Sequence, residues 1–194
     1  CMPKTRPMRV AEWVMVLTSA NGVSDEKVAE ALAGMDSVAP RRLSANAVEV
    51  GVRGAPPDLA LAGIDVNFVP REGRAKKMLI ADMDSTIIPV ECIDELADFA
   101  GVKDQISEIT ESAMRGEIGF EESLVARVGF LKGLGVDALA RCYDERITLN
   151  PGAQKLVQAM NESGAYTALV SGGFTYFTNK VAVDAGFAYN RANV

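Results

Sequence analysis

The stretch Met78-Leu79-Ile80-Ala81-Asp82-Met83-Asp84-Ser85-Thr86 decides how this chain folds. Four apolar residues in an unbroken run have the composition of a buried parallel strand. The run then breaks abruptly into acids and hydroxyls. A second stretch repeats the design, with Tyr166 to Val170 running into Ser171-Gly172-Gly173-Phe174. In open α/β sheets ligands bind beyond the carboxyl ends of the strands, so both polar ends can face one pocket.

The segments around these two strands are helical. Ile93, Leu96, Ala97 and Ala100 fall at i, i+3, i+4 and i+7, a helix that Gly101 ends. Ile106, Ile109 and Ala113 mark a second helix, closed by Gly116. Phe120, Leu124, Val128 and Leu131 form the stripe of a third, closed near Gly133. Asn150-Pro151 reads as an N-cap with proline in the first turn of a further helix, with Gly164 just past its end. Phe177, Val181 and Ala185 mark a last helix that stops at Gly186. This order predicts an α/β fold: a doubly wound, Rossmann-like parallel sheet with a helical insertion between its first strand and the next.

Upstream, residues 13–18 read as a strand, Ser24 or Asp25 caps a helix reaching about Gly34, and Val48 to Val52 alternates like a half-buried strand. Ile64 to Val69 is another strand, stopped by Pro70. No catalytic cluster stands out in this part. The charged, glycine-containing run Arg71 to Lys77 marks a boundary. The expected organisation is a small α/β domain over residues 1–73 and a larger one over residues 74–194.

Composition narrows the chemistry. The 194 residues are 48% apolar and 24% charged, enough to build a core. No apolar run approaches the roughly 20 residues that cross a bilayer, and no signal-peptide pattern opens the chain. The formal charge of −6, without a basic tract, argues against a nucleic-acid partner. Cys1, Cys92 and Cys142 are odd in number and far apart, as in a reducing cytoplasm. There is no histidine. Ser-His-Asp and Cys-His hydrolases, phosphohistidine chemistry and His-ligated zinc are therefore excluded, and proton transfer falls to other side chains.

Asp82 and Asp84 offer two carboxylates at i and i+2. Close like charges are costly without a compensating cation, which favours a hard ion such as Mg²⁺. One carboxylate could then attack phosphorus while the other handles the leaving group's proton. The same pair also fits an ordinary Asp turn capping a helix. Ser171-Gly172-Gly173 supplies a hydroxyl and closely approachable N–H groups for an anion, or merely a tight strand-to-helix turn. Glu91 is either a ligand-facing acid or a solvated first-turn glutamate. Arg127 suits carboxylate recognition, or is a snorkelling surface residue. Met114 and Phe120 could line an apolar lid or pack in the core.

Asp82-Met83-Asp84-Ser85-Thr86, Glu91-Cys92-Ile93-Asp94-Glu95, Glu111 to Gly116, Phe120 with Ser123-Leu124 and Arg127-Val128, and Ser171-Gly172-Gly173-Phe174-Thr175 occur here in order. Together they resemble the haloacid dehalogenase superfamily, and within it the phosphoserine phosphatases, from about Lys77 to Val194. The resemblance implies Asp82 as nucleophile and Mg²⁺ ligand, and Asp84 as general acid and base, bound to Mg²⁺ through its carbonyl. Ser171 and the Gly172 amide would hold phosphate, Glu91 the substrate amine and Arg127 its carboxylate, while Met114 and Phe120 shield the site. The insertion from about 91 to 143 would be a cap closing over phosphoserine. The implied reaction is Mg²⁺-dependent hydrolysis of O-phospho-L-serine, the last step of serine biosynthesis, in a cytoplasmic enzyme that can pair as a homodimer. The first 70 or so residues resemble the variable N-terminal region of longer bacterial members, a possible regulatory module. The same resemblance implies a lysine and a Gly-Asp-Gly-x-Asn-Asp stretch farther on. Neither occurs here, so the chain is expected to be truncated before them. Binding of phosphoserine without turnover, or action on another small phosphate ester, are the alternative expectations.

Overall fold

The computed structural model describes residues 11–194, with the side chain of Met114 outside that set. Cys1 also lies outside the described residues. The chain divides into two units, Cys1–Ala75 and Lys76–Val194.

The first unit is a four-stranded antiparallel sheet with one helix. Its elements are β1 (Trp13–Thr18), α1 (Asp25–Leu32), β2 (Arg41–Ser44), β3 (Ala47–Val52) and β4 (Asp65–Pro70). The strand order is β2-β3-β1-β4. Ser24 caps α1, its Oγ accepting the Lys27 N–H at 3.2 Å. Alternating residues of β1 and β3 (Met15, Leu17, Val48, Val50, Val52) bury one sheet face against Val28 and Ala31 of α1. Pro70 is the last residue of β4, opposite Trp13, rather than a residue that stops the strand short. β4 is an edge strand, where a missing N–H costs no ladder bond.

The second unit carries the parallel sheet. β5 (Met78–Ala81) leads into four helices, α2 (Cys92–Ala100), α3 (Lys103–Met114), α4 (Phe120–Phe130) and α5 (Val136–Arg146). The chain then returns through α6 (Ala153–Glu162) to β6 (Tyr166–Phe174), α7 (Thr175–Ala185) and β7 (Tyr189–Asn193). The order β5-β6-β7 is parallel throughout. α2 packs on α3 and α5, and α3 packs on α4, while Cys92, Leu96 and Cys142 join the core under the parallel sheet. Gly101 ends α2 in the left-handed conformation, as its place in the sequence predicts.

Two expectations are corrected here. β5 is parallel but not buried, since Met78 and Ile80 are 55% and 63% exposed. The pleat sends alternate side chains to opposite faces. Leu79 and Ala81 pack into the core formed with Leu169, Phe177 and Val181, while Met78, Ile80, Tyr166 and Val170 lie open. Asn150 is not the N-cap of α6. Gly152 holds that position at φ 90°, and Asn150 instead donates its side-chain amide to the Thr86 carbonyl at 2.7 Å and its backbone N–H to the Ile87 carbonyl at 2.8 Å. It thereby clamps the loop that follows β5.

Candidate active site

The loop after β5 is shaped by the alternation of its residues. Met83, between the two aspartates, is fully buried, while Asp82 and Asp84 both line one cleft of about 200 Å³. A cleft of that size admits a small molecule. Asp82 Oδ1 accepts the Met83 N–H at 2.7 Å. Asp84 Oδ1 accepts the Cys92 N–H at 2.9 Å, and its Oδ2 faces the Ser171 hydroxyl at 3.3 Å. Ser85 then turns the chain at φ 49°, a left-handed conformation that costs an L-residue about 1–2 kcal/mol. The turn is closed by the Ser85 N–H to the Val90 carbonyl at 3.2 Å. It returns the chain to Glu91, whose Oε1 accepts the Ser85 hydroxyl at 2.7 Å.

The second wall comes from the end of β6. The strand runs through Ser171, Gly172 and Gly173 to Phe174, so these residues form its last extended turn and the helix opens only at Thr175. Ser171 Oγ accepts the Gly173 N–H at 2.8 Å while facing Asp84. Asn193 of β7 donates its amide to the Gly172 carbonyl at 2.7 Å. Gly173 is needed here because a Cβ would stand 2.9 Å from Asp84 Oδ2 and 3.1 Å from Ser171 Oγ.

The third wall is α4. The stripe predicted there is not a buried face, since Phe120 and Val128 are exposed, and its N-terminal half faces the cleft. Phe120, Leu124 and Arg127, at i, i+4 and i+7, line the pocket, whereas the fully buried residue of the helix is Ser123. Phe120 is therefore not a core residue. It is 67% exposed, and its ring would lie 3.4 Å from a Cβ at Gly172. Arg127 is half-buried and bonds only weakly, Nε to the Ser123 carbonyl at 3.4 Å. Among the described residues it has no carboxylate partner.

Asp82, Asp84, Glu91, Phe120, Arg127, Ser171 and Gly172 are thus brought together in one cleft, with Ile93, Leu124, Gly173 and Phe174 beside them. Met114 ends α3 and its side chain lies outside the described set. The contact of Asn193 and the left-handed turn at Ser85 are not recognisable from the sequence. A side-chain amide bonded to a distant carbonyl and a left-handed serine leave no trace in residue spacing.

The charges of the cleft are unbalanced, with three carboxylates against one guanidinium. Such an excess calls for a cation. Asp82 and Asp84 provide hard oxygen donors, and among the described residues no third His, Cys, Asp or Glu completes a metal cage with them. Mg²⁺ commonly binds through one or two carboxylates, with water and substrate phosphate in the remaining positions, so the pair fits that ion. Cys92 does not compete as nucleophile. Burial first, and the Asp84 carboxylate second, push its thiol far up, so it stays protonated.

Residues 76–193 match the haloacid dehalogenase-like hydrolases, and the chain belongs to that family. Over 119 residues it is 50% identical to a phosphoserine phosphatase of Polaromonas sp. strain JS666, covering 61% of this chain and 50% of that protein. The chain thus spans about half the length of that curated relative. Its fold matches a haloacid dehalogenase family hydrolase from Salmonella enterica serovar Typhi with a TM-score of 0.77 at 25% identity, covering 94% of this chain and 67% of that one. It also matches a phosphoserine phosphatase solved as a phospho-aspartyl intermediate analogue, with a TM-score of 0.56 at 38% identity over 60% of this chain and 56% of that one. No helix among the described residues is long and apolar enough to cross a membrane.

Proposed function

We propose that the protein hydrolyses O-phospho-L-serine to L-serine and phosphate through an aspartyl-phosphate on Asp82. The observation that carries this reading is the presence of Glu91 and of Arg127, which among the described residues lacks a carboxylate partner, in the same cleft as Asp82, Asp84 and Ser171. Those two charges match the ammonium and carboxylate of an amino acid, and Ser171 with the Gly172 amide matches a phosphoryl group. With that substrate the reaction is the last step of serine biosynthesis, a cytoplasmic task.

In the first step an Asp82 carboxylate oxygen attacks phosphorus and the bond from phosphorus to the serine oxygen breaks. Asp84, protonated, gives its proton to that leaving oxygen. In the second step Asp84 takes a proton from water, whose oxygen attacks phosphorus, and the Asp82–phosphorus bond breaks to free phosphate. Asp84 Oδ1 is held by the Cys92 N–H, which leaves Oδ2, on the Ser171 side, to carry the proton. Mg²⁺, held by the Asp82 carboxylate and the Asp84 backbone carbonyl, would neutralise charge on the phosphoryl oxygens. Phe120 and Leu124 supply the apolar side of the cleft, beside the position the phosphoryl group would take.

Phosphate release from O-phospho-L-serine in the presence of Mg²⁺ tests the proposal. Turnover that Asp82→Asn abolishes is expected, and turnover that survives the change removes Asp82 as nucleophile. A second reading, binding without turnover, is favoured by one observation: among the described residues lining the cleft, Arg127 is the only cation. Saturable phosphoserine binding with no phosphate release would select it. Equal rates on phosphoserine and on a simple phosphoalcohol would instead point to another small phosphate ester.

A further inference from the structure

We propose that Ser85 is a positioning residue that aims Glu91 at the substrate's ammonium group, an inference that rests on the amino-acid reading of the cleft. Ser85 is the only non-glycine residue with positive φ among the described residues. Strained backbone of this kind persists where the surrounding structure enforces it, and it clusters at functional sites. Here the strain has a visible product. The left-handed turn lets the Ser85 N–H reach the Val90 carbonyl at 3.2 Å and the Ser85 hydroxyl reach Glu91 Oε1 at 2.7 Å.

Glu91 occupies the N-cap position of α2 but its side chain makes no capping bond to its own helix. An N-cap acid ordinarily satisfies the first free N–H groups of its helix. This one is turned away from them by Ser85, and among the described residues its Oε2 has no partner. The Ser85 hydroxyl thereby fixes one carboxylate oxygen of Glu91, and the other is left for a cation. Asp84 accepts the neighbouring Cys92 N–H, so the same loop sets the acid–base group and the amine-binding group together. A glycine at position 85 would suit the backbone better and would lose only the hydroxyl.

The test measures equilibrium binding in the full chain carrying Asp82→Asn, where no phosphoryl transfer occurs. The probes are O-phospho-L-serine and O-phospho-3-hydroxypropionate, the same molecule without the amine. Ser85→Gly should weaken phosphoserine about tenfold and leave the amine-free ligand within about twofold, because one oriented ionic contact is lost. Ser85→Asn, which tolerates the left-handed turn and restores a donor, should recover part of the loss. Ser85→Gly in a Glu91→Gln background should add nothing further. Equal weakening of both ligands, or of neither, overturns the proposal for Ser85. If Glu91→Gln alone leaves the preference for phosphoserine intact, the amine-binding reading of Glu91 fails first, and the two failures are distinguishable.

Discussion

Gly173 and Asp84 approach so closely that a methyl group on the glycine would stand 2.9 Å from Asp84 Oδ2. The end of β6 and the loop after β5 are therefore in contact at the oxygen to which the proposed mechanism assigns the proton. Gly173→Ala must displace the carboxylate or the Ser171 hydroxyl, which would lie 3.1 Å from the new carbon. A displacement near 1 Å can cost about a hundredfold in rate. The variant should fold, with kcat reduced by about that factor. An unchanged kcat would show that Asp84 Oδ2 need not stay where it is.

Ser123 gives a prediction of opposite sign. Its hydroxyl is buried and, among the described residues, unpaired, and an unsatisfied buried polar group carries a desolvation cost. Ser123→Ala removes that cost at nearly constant volume. Thermal unfolding should occur at the same temperature or higher, corresponding to a gain of up to about 1 kcal/mol. A clear loss of stability would mean that the hydroxyl has a role the fold alone does not reveal.

The first unit has its own acid-sensitive contact. Glu49 is held below the ordinary glutamate value of 4.5, chiefly by the hydrogen bond from Arg74, with Arg41 contributing against the opposing effect of burial. Because the folded pKa is the lower one, the stabilisation is complete above about 4.5 and lost as pH falls through the folded value. Arg41 is largely exposed, so the contribution is modest. Glu49→Gln should therefore unfold at a lower urea concentration than the parent at pH 7, and the difference should shrink toward pH 3. A difference that persists unchanged in acid would assign it to packing rather than charge.

Much of the fold was legible because hydrophobic period and glycine placement agree. Ile93, Leu96 and Ala97 are buried on α2, and Gly101 ends it. β2 escaped notice because Arg41 to Ser44 is exposed at every position, so it has no apolar alternation to read. Asn150 misled because its side chain bonds to the Thr86 carbonyl, a contact across 64 residues, rather than to the helix beside it. The burial of β5 was overestimated since an apolar run does not say which of its faces is covered. In the cleft, residue types and order identified the acids, the serine and the arginine. What spacing could not convey was the left-handed turn at Ser85, which joins Glu91 to the aspartate loop.

The central claim is that Asp82 carries the phosphoryl group. The most direct measurement is the mass of the peptide containing Asp82 after acid quench of a reaction with O-phospho-L-serine and Mg²⁺. The account predicts one added phosphoryl group on Asp82, absent from Asp82→Asn, which also releases no phosphate. A phosphoryl group found on another residue, or phosphate release that continues in Asp82→Asn, would contradict it.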